Sequence, residues 1–292
     1  MSKFFLRFFL LLLITTILSI IYVSYFGIKT DQFDELIKDK ANSVNQYIKL
    51  EFKATKIHLK PNELKLIIKL QNPKVLIINN EINLSKLDLF LPLKSFFSSD
   101  FLLERAEVAF IKNDIKDLTK ITNIFLPRII NKQFNKVFEK GNLEGEFVIP
   151  FESDGSIGKD YGFSGKISDA SINLNKEFSI KNLTTEIQNN KKGEFKATIK
   201  KGLLFDLDLS GSTINLINKE NAKKIKTSLN TNGKINFSQI KKISSLFRLK
   251  NNTFKNISGT ANLETNIDFD IDTKFRIKNL SYSISGKVDY LE

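Results

Sequence analysis

The chain has no cysteine and no tryptophan, and in 292 residues it has one histidine, one methionine and five prolines. Without cysteine there is no disulfide scaffold and no thiolate metal site, an absence that fits either redox compartment. With His58 as the only histidine, a polyhistidine centre is excluded as well. His58 falls on the Lys-rich side of an alternating pattern and reads as a surface imidazole rather than a general base. Asp268, Asp270 and Asp272 suggest a calcium loop, but Thr273 and Asn279 stand where that loop needs glycine and glutamate, so the run reads as a solvated strand face. Gly162 to Lys166 fails as a phosphate loop, because Asp160 replaces the first glycine and Ile167 the magnesium-binding hydroxyl. We expect no enzyme activity, no cofactor and no metal.

Acidic residues are also in deficit: 45 Lys and Arg against 32 Asp and Glu give a formal charge of +13. Such a balance raises nucleic acid or an anionic membrane as partner. No RNP-like run, zinc-finger spacing or arginine-rich recognition helix is present, so nucleic acid is not expected. A general bias toward Lys, Asn, Ile and Phe accounts for the charge; attraction to anionic headgroups, about 1 kcal/mol per Lys near the surface, is the functional alternative.

What the chain does have is a long apolar run near its start. Residues 8–28, Phe8 to Ile28, carry no charge, and roughly 20 apolar residues suffice to cross a hydrocarbon core. The run exceeds the usual signal-peptide core and no small-x-small cleavage pattern follows it, so it reads as a transmembrane anchor. Lys3 and Arg7 in the tip 1–7 place the N-terminus in the cytoplasm, and Tyr22, Tyr25 and Phe26 mark the far interface. The bulk of the chain is then expected in the periplasm, on a single-pass inner-membrane anchor.

Residues 29–48 read as an amphipathic helix, with Thr30 as N-cap, Asp31, Asp34 and Glu35 in its first turn and Phe33, Leu36, Ile37, Ala41, Val44 and Ile48 at helical spacing. Over 49–112 the period changes to two. Leu64, Leu66, Ile68 and Leu70 share one face of a strand, and Leu87, Leu89, Leu91 and Leu93 a face of another. Ala106, Val108 and Phe110 continue the alternation. Residues 113–139 form a basic amphipathic helix with Ile115, Leu118, Ile121, Phe125, Ile129, Phe134 and Phe138 on its apolar side and a kink at Pro127, either packed on the sheet or lying in a membrane interface.

A second β region spans 140–292. Leu143, Phe147, Ile149 and Phe151 make one face, and Leu203, Phe205, Leu207 and Leu209 another. The clearest alternation is Ala261, Leu263, Thr265, Ile267, Phe269 and Ile271. Asn232-Gly233 signals a hairpin, and Ser238 caps a short helix near 238–248. The sequence ends just after the alternating Tyr282, Ile284, Val288 and Tyr290, an edge strand open to a protein partner.

An N-terminal anchor, a short helix and then successive amphipathic strands with few chemical residues resemble the AsmA-like proteins of the Gram-negative envelope. The likeness is carried by Phe8 to Ile28 with the helix to Val44, by the strands from Leu64 to Ile111, by Gly165 to Leu174 and by Gly233 to Ile240. It implies a mainly β fold: an elongated, twisted antiparallel sheet with a few amphipathic helices, shaped as a groove whose apolar face holds phospholipid acyl chains in lipid transport or outer-membrane homeostasis. The lining would comprise Leu64, Leu66, Ile68, Leu70, Leu87, Leu89 and Leu91, then Val108, Phe110, Phe147 and Ile149, and finally Phe205, Leu207, Leu263, Ile267, Phe269 and Ile271. About a dozen strands at ~4.8 Å give roughly 60 Å, a short member of such a family. We expect the two β regions to be continuous. The competing expectation is a non-catalytic envelope scaffold with a closed β core, in which the edge strand recruits a partner.

Overall fold

A computed structural model describes residues 2–44, 47–77, 80–96, 102–118, 136–156, 158, 160–173, 178–189, 194–246, 258–274 and 276–290. Helix α1 covers Ser2–Tyr25, and its stretch Phe4–Tyr25 has mean hydropathy 2.5 with none of it buried. It is long and apolar enough to cross a membrane. The helix starts within the tip assigned to 1–7 and stops at Tyr25, because Gly27 takes φ +69°, a left-handed geometry that ends helices. Thr15, Thr16, Ser19 and Ser24 donate their hydroxyls to carbonyls four residues back, so the helix satisfies its own polar side chains.

The chain divides into two compact units, Met1–Ile111 with Glu146–Tyr161, and Lys112–Gly145 with Gly162–Glu292. In the first, β1 (Ile28–Thr30), β3 (Ala54–Lys60), β4 (Lys65–Gln71), β6 (Asn80–Pro92) and β7 (Arg105–Asp114) follow in that order, antiparallel throughout. The long β6 pairs with β4 through its C-terminal half and with β5 (Lys74–Ile77) through its N-terminal half; β5 also pairs with β2 (Ile48–Glu51). Helix α2 is Asp34–Val44, shorter than expected over 29–48. Residues 28–30 pair with β3 instead, and Thr30 accepts the Gln32 amide in a turn before the helix rather than capping it. The Thr55 hydroxyl, fully buried, donates to the Asp34 carboxylate and so ties α2 to β3.

The core of this unit forms where the alternation requires it. Ile37 of α2 packs on Leu50, Ile68, Leu70, Leu87, Leu89, Leu91 and Ala106, with Phe33, Ala41, Val108, Ile149 and Phe151 around them. Leu64 departs from that face. It adopts φ +51° at the end of a 3-10 turn, Pro61–Glu63, and is 68% exposed, because the proline-led turn delays the strand until Lys65.

In the second unit β9 (Gly162–Asn173), β10 (Ser179–Asn189), β11 (Phe195–Leu204), β12 (Leu207–Asp208), β14 (Ala222–Asn236), β15 (Ser258–Asp272) and β16 (Ile277–Tyr290) run in order, with β13 (Thr213–Lys219) also bridging β11 and β14. All these pairs are antiparallel. The run Leu203 to Leu209 is not one strand: Phe205 and Asp206 have positive φ and turn the chain between β11 and β12. Asn232-Gly233 is no hairpin either, since β14 pairs with β15 without a break from Ala222 to Asn236; the turn lies at Glu220 and Asn221.

Helix α3, Phe237–Leu246, is capped by Asn236 rather than Ser238. Asn236 Oδ1 accepts the Gln239 amide at 3.0 Å while Gln239 Oε1 accepts the Asn236 amide at 2.7 Å, a reciprocal cap. Phe247 and Arg248 lie outside the described residues. So does most of the helix expected over 113–139: residues 115–118 are helical, 119–135 are outside the described residues, and Phe138 opens β8 (Phe138–Pro150).

Candidate functional site

The expected lining residues divide between a closed surface and an open one. In the first unit Leu66, Ile68, Leu70, Leu87, Leu89, Leu91 and Phe110 are buried, while Val108, Phe147 and Ile149 are half-buried. Phe110 stacks on Phe147 with centroids 5.8 Å apart. Ile68, Leu70, Leu87, Leu89 and Leu91 are covered by Ile37 and Ala41 of α2, with Ile149 and Phe151 packed against them. What remains is a cavity of about 260 Å³ lined by Ile37, Ala41, Leu50, Leu87, Leu89, Leu102, Leu103, Ala106 and Phe151, with Lys40 and residues 152–155 at its polar rim. It falls just below the roughly 300–1,000 Å³ of small-molecule sites.

The second unit has a core as well, made of Ile115, Ile167, Ala170, Leu183, Ile199 and Leu209, with Leu204, Phe138 and Leu143 against it. Leu207 is 1% exposed, and Phe205 sits in its turn edge-on to Phe178 at 5.1 Å. Beyond this core the apolar residues continue along the same side of the sheet. Cross-strand rows run Ala197, Ile214, Thr227, Ile267, Tyr282 and Phe195, Leu216, Ile225, Phe269, and opposed residues in antiparallel strands share a face. Leu263, Ile267, Phe269 and Ile271 on β15 are half-buried, whereas on β16 Tyr282 is 50% exposed and Ile284 46%. Leu280 and Ile277, at 60% and 63%, extend the exposed apolar surface on β16.

The opposite side of these strands is polar and paired. Lys219 holds Asp270 at 2.8 Å, Lys224 reaches Asp268 at 3.6 Å, and Arg276 with Lys278 brackets Asp272 at 2.7 and 3.5 Å. The Lys219 and Asn279 hydrogen bonds hold the Asp270 carboxyl below the usual carboxylate range. Asp272 is lower still, since the Arg276 amide, the Arg276 guanidinium and the Lys274 amide all donate to it. The three aspartates are therefore spread along ion pairs and do not converge on a cation. Among the described residues no group of three or more His, Asp or Glu side chains is placed to hold a metal.

Two features escaped the sequence reading. His58 is not a free surface imidazole: its ring packs over Gly27, and Nδ1 lies 3.3 Å from the Ser24 carbonyl. The outer face of the first sheet also buries Asp88 and Phe90. Burial pushes the Asp88 carboxyl up against the pull of Lys69 and Lys86, and the Arg105 guanidinium lies 4.0 Å above the Phe90 ring. Burial of Lys86 is outweighed by Glu107 at 2.6 Å, Asp88 and Glu146, which raise its pKa. An alternating lysine pattern carries no sign of such pairing.

No protein-family model, no curated protein and no solved structure matches this chain.

Proposed function

We propose that the chain is a membrane-anchored, non-catalytic lipid-binding protein that holds or shields phospholipid acyl chains on the open apolar face of β13 to β16, in the manner of a short AsmA-like protein. The reading places it on the inner membrane with its bulk in the periplasm, where it contributes to lipid transport or outer-membrane homeostasis. The observation that carries it is the contrast between the two sides of β14 to β16: one is laced with ion pairs, the other is apolar, half-buried on β15 and exposed on β16. Contiguous exposed apolar surface on a folded chain marks a site that binds lipid, ligand or protein.

Cells fed a photoreactive fatty acid and irradiated before purification of the full chain provide the test. Lipid adducts on the β15 and β16 peptides carrying Ile267 and Ile284 support the reading, and adducts confined to α1 contradict it. A scaffold function is favoured by a separate observation, that β16 pairs only with β15 among the described residues and leaves one edge free. If that function holds instead, Ile284→Lys abolishes capture of one protein partner and leaves bound lipid unchanged.

A further inference from the structure

On the side of the first sheet turned away from α2, three lysines stand in one cross-strand row. Lys29 on β1 is the register partner of Lys56 on β3, and Lys56 of Lys69 on β4. Directly opposed side chains in antiparallel strands lie close together on one face, and like charges so placed repel. The row continues into Asp88 on β6 and Glu107 on β7. Glu107 is engaged from the far end, by Lys86 at 2.6 Å and Arg105 at 3.1 Å, and Asp88 is divided between Lys86 at 3.9 Å and the longer-range pull of Lys69. Among the described residues no carboxylate lies within 4.0 Å of the three lysine ammonium groups. The fold keeps Lys29 and Lys56 side by side with no carboxylate opposite either, while Lys69 faces Asp88 and shares it with Lys86, so the row carries a net positive charge that an external anion relieves.

The row also lies beside the end of α1. His58 shares its strand and its face with Lys56, and it is the residue on which the anchor ends: Nδ1 is 3.3 Å from the Ser24 carbonyl, and a Cβ on Gly27 would come within 2.7 Å of Nε2. Lys29 follows so soon after Tyr25 that chain geometry alone keeps it within about 15 Å of the helix end. Cations held there meet the polar layer of any bilayer that α1 enters.

We propose that the Lys29, Lys56 and Lys69 row binds the phosphate-bearing headgroups of anionic phospholipids in the membrane that α1 spans. The proposal rests on α1 being inserted and is independent of whether acyl chains occupy the second unit. The full chain is reconstituted into phosphatidylcholine vesicles with and without phosphatidylglycerol, and lysine acetylation rates are read peptide by peptide. Phosphatidylglycerol slows labelling of the three lysines by roughly fivefold or more, the factor that about 1 kcal/mol per Lys implies. In Lys56→Gln the protection of Lys29 and Lys69 falls toward one, and Lys56→Arg retains it. Equal labelling in the two vesicles, or the same protection from inorganic phosphate with neutral vesicles, overturns the proposal. Vesicle flotation separates the two premises. A chain that fails to float overturns insertion and this proposal together, and one that floats with unprotected lysines overturns the proposal alone.

Discussion

The face of β4 and β6 in the first unit and the face of β14 to β16 in the second are built from the same alternation of apolar and polar residues, yet they end differently. Ile68 and Leu91 are 2% and 3% exposed, whereas Ile284 and Tyr282 are about half-exposed. The difference lies in what is laid over them. Ile37 and Ala41 of α2, tied to β3 through Asp34 and Thr55, cover the first face. On the second face the packed cluster among the described residues ends with Ile199 and Leu209 and takes in neither β15 nor β16. A period of two specifies a strand with one apolar side; it does not specify the element that will cover that side.

The sharpest way to break this comparison is to truncate one residue on each face. Ile68→Ala is expected to cost about 3 kcal/mol or more in denaturant unfolding of the detergent-solubilised chain, through lost transfer energy and a cavity, and Ile267→Ala less than about 1 kcal/mol. Equal costs would show that the second face is packed. Next in size, Ile267→Asp is expected to lower retained lipid at least tenfold, as read by extraction and mass spectrometry, with little change in unfolding.

A smaller effect tests where the closed part of the second unit ends. Gln239 completes the α3 cap and its Nε2 donates to the Phe205 carbonyl at 2.6 Å, fastening the β11 to β12 turn. Gln239→Ala is expected to cost about 1–2 kcal/mol, with faster amide exchange at the turn and at the start of α3. The smallest effect concerns the turn from β15 to β16. The Asp272 carboxyl titrates below its unfolded value, so its contribution is present above the unfolded pKa of about 3.9 and is lost as pH falls through the folded value. Acidification below about pH 4 is expected to lower amide protection factors in β16 before the first-unit core responds, and Asp272→Asn to reduce that pH dependence to the part that Asp270 contributes.

Much of the strand content and its faces was legible in the sequence. Leu66, Ile68 and Leu70, then Leu87, Leu89 and Leu91, fall where alternation puts them, and the mainly β antiparallel class follows from such runs. The misses come from places where local geometry overrides the period. Leu64 and Phe205 fit an apolar register, but a proline-led turn and a positive-φ pair take them out of their strands. Asn232-Gly233 has the residues of a tight turn, yet pairing along all of β14 holds it extended. Thr30 and Ser238 are good caps in isolation; Thr30 was drawn into a turn beside β1, and Asn236 captured the second helix through Gln239. The packing of His58 leaves no mark in the sequence, because its partner, Gly27, is distant along the chain and presents no side chain.

The absence of tryptophan allows one direct test of whether the open face takes up acyl chains. A single tryptophan is placed at position 267 by Ile267→Trp or on the opposite face by Asp268→Trp, and the delipidated full chain is titrated with phospholipid brominated in its acyl chains. Strong quenching of the first and little of the second is the outcome expected here. Equal quenching of the two, or none of either, would contradict it.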